Sequence, residues 1–343
     1  MADPQSVLLT CAGQRVDIVR AFRDALHRRG EGGRVIVSDL DLLSPSLYAA
    51  DLVVALPAVD DPGYGRAVAD VVAREGVGAV LPLTDLDPVM LAEAAPLIVQ
   101  AGGRAFLPTP QVAAGCQDKW LCHEMLEAAG LPSPPTWQLG TVNQSSLPFP
   151  VMIKPRIGFA GRWIHRCDDT DELDFFLART PVASVIQKAL PGEEFSIDCL
   201  GSLDARAIGA IPRSMLQSKG GEQIKGETLD DPQLVDLAAR TIEGLGLVGP
   251  CTIQCFRENG DILGITDINT RFGGGFPLPL AAGGDYPALI LAMAAGEDVP
   301  PRLGDHRAGV VMTRFLSEHI LMRDGEALVP MADRGEEAMT SGI

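Results

Sequence analysis

Residues 1–107 alternate short apolar runs with helix-length amphipathic spacings, and that rhythm leaves few folds open. Val7-Leu8-Leu9-Thr10 reads as a strand, Gly13 opens a turn, and Val16 to Arg29 has helical spacing. Arg34 to Ser38 is a second strand ending near Asp39, and Leu52 to Leu56 a third. Gly65 to Glu75 is helical, and Ala79 to Leu83 is a fourth strand. Consecutive parallel strands need a crossover long enough to hold a helix, so this order predicts a parallel α/β sheet with helices on both faces.

A dinucleotide site on that sheet, with Asp39 on a ribose, needs three glycines in the first turn: one for the turn, one for close approach, one for packing. Cys11-Ala12-Gly13-Gln14-Arg15 offers one. Thr84-Asp85 follows the fourth strand, at the end where α/β sheets usually take ligands. Asp85 there suits an ammonium group.

The rest of the chain has a different grammar. Gln117 to Ala129 reads as a helix stopped by Gly130 and a proline-rich stretch. Phe149 to Lys154, Ser184 to Leu190 and Phe195 to Leu200 read as strands, and a helix follows Asp231-Pro232. Tyr286 to Ala295 is helical, Val310 to Leu316 a last strand, and from Met322 the chain turns polar and is expected to fray. Cys251 to Arg257 and Ile262 to Ile268 flank Asn259-Gly260, a strong signal for an antiparallel hairpin with a type I′ turn. Counted from that turn, Gln254 faces Ile265, and Asp267 lies diagonally on the same face.

Asp267-Ile268-Asn269-Thr270-Arg271 extends the second of these strands. Alternate side chains of a strand share a face, so Asp267, Asn269 and Arg271 point one way and Ile268 and Thr270 the other. A carboxylate, two amide oxygens with Gln254, and a guanidinium form a hard-oxygen metal site with a cation beside it. Mg²⁺ takes such ligands and shares them with phosphates.

Composition narrows the partners. Net charge is −17 at pH 7, which argues against nucleic acid, since binding it requires clustered Lys and Arg. The seven cysteines are dispersed, with no Cys-x-x-Cys, as suits reduced thiols in a cytoplasm. Cys11, Cys251 and Cys255 sit in apolar runs and read as small core residues. Met-Ala-Asp-Pro-Gln lacks the regions of a signal peptide, and no apolar run reaches the roughly 18 residues of a membrane span.

Four more segments carry chemistry. Asp118-Lys119 opens a helix; Asp suits the cap, but a cation in the first turn opposes the helix dipole and points to a phosphate. Lys154 lies inside the apolar strand Phe149 to Pro155 and needs an anionic partner there. Gly158-Phe159-Ala160-Gly161 follows, a glycine turn whose N–H groups suit phosphates. Gln187-Lys188-Ala189-Leu190-Pro191-Gly192-Glu193-Glu194 is a strand, a hinge and the start of another strand. A polar, glycine-containing segment from Ile211 through Lys219 to Thr228 reads as a substrate loop, with Arg213 suited to a carboxylate.

In this order the segments resemble the ATP-grasp superfamily, most closely its carbamoyl-phosphate-synthase-like single-chain members. The resemblance covers nearly the whole chain, to about Leu321. It implies an N-terminal α/β domain over 1–107, a small α+β lobe over 108–190, a large α+β lobe over 191–321, and a polar tail over 322–343. ATP and Mg²⁺ or Mn²⁺ would lie between the lobes. Lys119 and Lys154 would hold phosphates under Gly158, Ala160 and Gly161. Gln187, Lys188, Ala189 and Leu190 would read adenine, and Glu194 the ribose. Gln254, Asp267 and Asn269 would hold the metal. Arg271, with Lys154 the catalytic pair, would meet the γ-phosphate or acylphosphate, with Arg213, Lys219, Gly274 and Asp85 on the substrates. Two departures stand out: Asp267 where the family usually has Glu, and no Ser near Ala160.

The implied reaction is ATP-dependent amide formation between a small carboxylate and an amine through an acylphosphate. A kinase of bicarbonate or carbamate and a non-catalytic nucleotide-binding module are the alternatives. The acceptor is left open, and so is oligomeric state, a homodimer being one option.

Overall fold

The computed structural model describes residues 6–30, 32–158, 161–219, 222–325 and 327–330. Strands β1 (Ser6–Thr10), β2 (Val35–Val37), β3 (Leu52–Val53), β4 (Val77–Pro82) and β5 (Arg104–Ala105) form a parallel sheet in the order β3-β2-β1-β4-β5. Alternation along the strands divides two cores. Leu8, Ile36 and Val80 pack against helices α2 (Tyr64–Glu75) and α3 (Pro88–Gln100). Val7, Leu9, Val37 and Leu81 face helix α1 (Val16–Arg29). Within the first turn the Gly13 N–H donates to Asp39 Oδ2 at 2.7 Å, so Asp39 braces a loop.

The second core extends beyond the parallel sheet. Leu200, Ile208, Ile211, Phe272, Phe276 and Tyr286 belong to it. Phe272 meets Phe22 of α1 edge to face, 6.0 Å between centroids at 81°. Aromatic contacts of this kind add about 0.5–1.5 kcal/mol beyond the area they bury. The segment just past Asn269 is therefore bolted to the N-terminal sheet.

Helices α4 (Pro110–Gln117) and α5 (Lys119–Ala128) follow β5. Then β6 (Thr136–Gln138), β7 (Val151–Pro155), β8 (His165–Cys167) and β9 (Ser184–Lys188) make an antiparallel sheet ordered β6-β9-β7-β8, with α6 (Thr170–Leu177) against it. A larger antiparallel sheet combines β10 (Glu193–Gly201), β11 (Ala207–Lys219), β12 (Glu222–Thr228), β13 (Gly249–Glu258), β14 (Asp261–Asn269) and β15 (Val311–Thr313) in the order β14-β13-β10-β11-β12-β15. Helix α7 (Pro232–Leu245) backs it. Cys116 of α4 and Cys122 and Leu126 of α5 also lie in this core, so both helices pack under the large sheet. Short α8 (Pro277–Ala281) and α9 (Tyr286–Ala294) return the chain to the N-terminal unit.

Three expectations change. The substrate loop over 211–228 is instead a pair of antiparallel strands, β11 and β12, in register from Arg213 opposite Thr228 to Lys219 opposite Glu222. The polar stretch from Met322 begins in a second hairpin, β16 (Leu321–Asp324) with β17 (Ala327–Pro330). The row ending in Arg271 leaves its strand early: β14 stops at Asn269, two residues before the arginine.

Candidate functional site

The face alternation predicted for β14 is what the fold shows. Ile268 and Thr270 are buried, while Asp267, Asn269 and Arg271 are half-exposed on the opposite side. Asn259 and Gly260 both take positive φ, as a type I′ turn requires. The register differs from the simple count. Two shifts between β13 and β14 bring Gln254 directly opposite Asp267, and Thr252 opposite Asn269. A bulge adds a residue to one strand and re-aims the side chains beyond it. Here it turns a diagonal neighbour into a direct one.

Around that pair the charges converge. Gln254 Nε2 donates to Glu194 Oε1 at 2.8 Å. Lys119 Nζ stands 3.7 Å from Asp267 Oδ1, and Asn269 Nδ2 is 3.5 Å from Asp267 Oδ2. An Arg271 η-nitrogen donates to Asn269 Oδ1 at 3.0 Å and to Asp85 Oδ2 at 2.7 Å. Lys154, on the small sheet, donates to Gln187 Oε1 at 2.7 Å, and Gln187 Nε2 donates to Thr136 Oγ1 at 3.1 Å. Burial raises the Glu194 carboxyl above its usual range, with nearby Lys154 opposing the shift. Burial pushes Lys154 down to about 8, with Asp267 opposing.

The shifted lysine gives a pH-dependent prediction. Lys154 is charged below about 8 and neutral above it, and a phosphate binds the charged form. Nucleotide affinity is therefore expected to fall from pH 7 to pH 9. Lys154→Met should weaken it about 10- to 150-fold at pH 7, the worth of a charge-assisted contact, and flatten the pH slope. Calorimetry giving wild-type affinity for the variant would remove Lys154 from the site.

Helix α5 starts where it does because Asp118 caps it, accepting from Trp120 N at 2.9 Å and Leu121 N at 3.3 Å. The same carboxylate takes Arg156 in a two-pronged contact, with Nε at 3.0 Å from Oδ2 and an η-nitrogen at 2.6 Å. Lys119 N donates to Arg156 O at 2.8 Å. The helix start and the entrance to the glycine turn are thus one unit. The sequence assigns Arg156 no role; its partner across 38 residues appears only in the fold. Gly158 and Gly161 flank that turn; Ala160 lies outside the described residues.

At the hinge, the N–H groups of Lys188 and Ala189 are already taken, by Pro135 O at 2.8 Å and Pro150 O at 3.1 Å. Those two N–H groups are therefore committed within the fold. Lys188 Nζ turns back to Pro148 O and Phe149 O.

Arg213 also departs from expectation. It is 3% exposed, and its Nε donates to Asp198 Oδ2 at 2.5 Å. Gln223 accepts from it, and Thr252 Oγ1 donates to the other Asp198 oxygen at 3.1 Å. This pair is a pillar beneath the loop after Arg271, not a group facing a substrate. A Cβ at Gly273 would lie 2.6 Å from Asp198 Oδ1, and one at Gly275 2.7 Å from Arg213 Cζ, so only glycine lets the loop rest on it. The Lys219 side chain lies outside the described residues.

The loop is gripped from above by arginines that sequence reading missed. Arg15 donates to Phe272 O at 2.9 Å and Gly273 O at 3.0 Å, and Arg314 donates to Gly274 O at 2.6 Å. Arg15 sits in the turn after β1, a position that hinted at ligand proximity but not at a partner 257 residues away. Cys251 and Cys255 are core residues, as expected, and burial pushes the Cys255 thiol up to about 12. Cys11 is only half-buried, in a left-handed turn. Among the described residues no helix is long and apolar enough to cross a membrane.

As a donor set, Gln254, Asp267 and Asn269 supply hard oxygens from two facing strands, with Lys119, Lys154 and Arg271 around them. That combination fits a divalent cation shared with a polyphosphate.

Several known proteins are similar to this chain in sequence or fold. Residues 180–315 match the family described as ATP-grasp in the biosynthetic pathway with Ter operon, and residues 7–102 match the PylC-like N-terminal domain. The vancomycin C-type resistance protein VanC1 of Enterococcus gallinarum is 24% identical over 54% of this chain, which spans 59% of that relative's length. The L-amino acid ligase of Bacillus licheniformis superposes with a TM-score of 0.70 at 18% identity, over 90% of this chain and 78% of that one. The biotin carboxylase domain of Hydrogenobacter thermophilus 2-oxoglutarate carboxylase, solved with MgADP, ADP and bicarbonate, gives 0.71 at 18%, over 89% and 73%. The fold is the ATP-grasp fold behind a parallel N-terminal sheet.

Proposed function

Because this chain joins a PylC-like N-terminal domain to an ATP-grasp domain, we propose that it is an ATP-dependent carboxylate–amine ligase working through an acylphosphate. The observation that carries the reading is the direct opposition of Gln254 and Asp267, with Lys119, Lys154 and Arg271 converging on the same place.

Lys119 and Lys154 neutralise the phosphates of ATP, and the turn around Gly158 and Gly161 covers them. Glu194 meets the ribose, and the hinge at Lys188 to Leu190 the base. Gln254, Asp267 and Asn269 hold Mg²⁺ or Mn²⁺, which supplies charge neutralisation for phosphoryl transfer. The substrate carboxylate attacks the γ-phosphorus and ADP leaves, which gives the acylphosphate; the amine then attacks the acyl carbon, phosphate leaves, and the nitrogen loses its proton to the departing phosphate or to solvent. Arg271 faces the charge that develops in both steps. Gly274, in the clamped loop, and Asp85, paired with Arg271, border the acceptor. Phosphoryl transfer asks for positioning and charge rather than a protein nucleophile, and the buried thiols, shifted upward by desolvation, offer none. Small acids and amines, a cytoplasmic setting and no nucleic-acid partner belong to this reading.

Bicarbonate as the acid is the second reading, favoured by the likeness to a biotin carboxylase domain solved with that anion. The test is ADP release in a screen of amino acids, singly and in pairs, and of bicarbonate, with hydroxylamine as a substitute amine. One acid with hydroxylamine should give a hydroxamate, with ADP and phosphate in equal amounts. AMP and pyrophosphate as products would contradict the acylphosphate. ADP release with bicarbonate alone would favour the second reading.

A further inference from the structure

We propose that Asp85 is a positioning residue for Arg271: it holds the guanidinium as a stand-in anion, and the terminal phosphate of the nucleotide must displace it. The proposal rests on the nucleotide reading above and adds the device that sets discrimination between triphosphate and diphosphate.

Asp85 and Arg271 come from different parts of the chain. The first lies in the loop after β4 of the parallel sheet, the second just past β14 of the large antiparallel sheet. Their side chains meet at 2.7 Å and stay partly open, 24% and 18% exposed. Arg271 also donates to Asn269 Oδ1 and, at 3.2 Å, to Phe272 O. Those two are neutral oxygens, one at the end of β14 and one in the loop after it, and they fix the direction of the guanidinium. Asp85 supplies the full negative charge.

The loop that carries Asp85 is held independently of this contact. Gln117 Nε2 donates to Asp85 O at 2.9 Å, and Leu86 N donates to Thr84 Oγ1 at 3.4 Å. Two residues on, Asp87 is fully buried and accepts from Tyr64 at 2.6 Å. The Asp85 side chain can leave Arg271 without the loop letting go. Other acids at this edge are engaged elsewhere: Asp17 with Arg15 at 3.3 Å, and Asp39 with the Gly13 and Asp41 N–H groups. A phosphate that takes Arg271 therefore competes with one carboxylate. A nucleotide without the third phosphate never enters that competition.

The test is calorimetry with MgADP and with the Mg²⁺ complex of adenylyl imidodiphosphate, a non-hydrolysable triphosphate. Asp85→Asn frees Arg271, so triphosphate affinity should rise on the order of tenfold while MgADP affinity stays within about twofold, the worth of one charge-assisted pair. Asp85→Glu keeps the charge and should keep the wild-type ratio. In an Arg271→Gln background, Asp85→Asn should no longer move the ratio, because the residue it acts through is gone. A ratio unchanged by Asp85→Asn alone, or changed equally with and without Arg271, would overturn the exchange while leaving the nucleotide site intact. A wild-type protein that binds neither nucleotide would overturn the nucleotide reading itself, a distinct outcome.

Discussion

Asp267→Asn is expected to keep the fold and lose nearly all turnover. Asp267 is the only carboxylate among the three oxygen donors on the β13–β14 pair, and its side chain sits on the open face while Ile268 and Thr270 carry the packing. The substitution is isosteric, so the strand keeps its register and core contacts. What it removes is the charge that would hold a divalent cation. Metal ions supply several kcal/mol of charge stabilisation in such reactions, so kcat should fall about 10³-fold. The Mg²⁺ dependence of nucleotide binding should weaken in parallel, which calorimetry reads without any knowledge of the acceptor. Near wild-type ADP release with an unchanged Mg²⁺ requirement would sink the metal assignment.

Arg213→Met should instead act on stability. It leaves the Asp198 carboxylate, 1% exposed, without the guanidinium that neutralises it, and strips a partner from Gln223. Breaking a buried pair from one side costs about 3–5 kcal/mol, mostly the penalty of the charge left behind. The melting temperature should drop clearly. The double variant Arg213→Met with Asp198→Leu should recover part of the loss, since no unpaired charge remains. Melting equal to wild type in Arg213→Met would mean that the pair is not a pillar. The loop that rests on it carries Arg271 at its entrance, so surviving folded protein should also show weakened turnover.

Both experiments address residues whose roles came from different levels of structure. The polarity of β14 was readable from five consecutive letters, because strand alternation is a local property of the backbone. The parallel sheet was readable too, since apolar runs separated by helical spacing leave one common arrangement. The hairpin turn followed from Asn259-Gly260, whose positive φ values few other pairs adopt at low cost.

The register inside that hairpin was not readable. Two local irregularities decide which residue faces Asp267, and the Asn259-Gly260 turn does not encode them. The β11–β12 segment read as a loop because its inward polar residues looked solvated. The fold instead pairs Arg213 with Asp198 of β10 and with Gln223 of β12. Arg213 was assigned to a substrate on the same ground, an arginine in a polar segment, before its partner Asp198 was in view.

What the sequence determined alone is therefore the set of groups a single strand or helix can present: Asp267, Asn269 and Arg271 in a row, Lys154 inside an apolar strand, Asp118 as the cap that starts α5. What only the tertiary structure decided is who meets whom. Asp85 reaches Arg271, Arg15 reaches Phe272 and Gly273, and Lys188 and Ala189 spend their N–H groups on the neighbouring backbone. Periodicity is written into bond geometry every few residues. A contact across 186 or 257 residues depends on how whole sheets pack, and on which buried polar group would otherwise go unpaired.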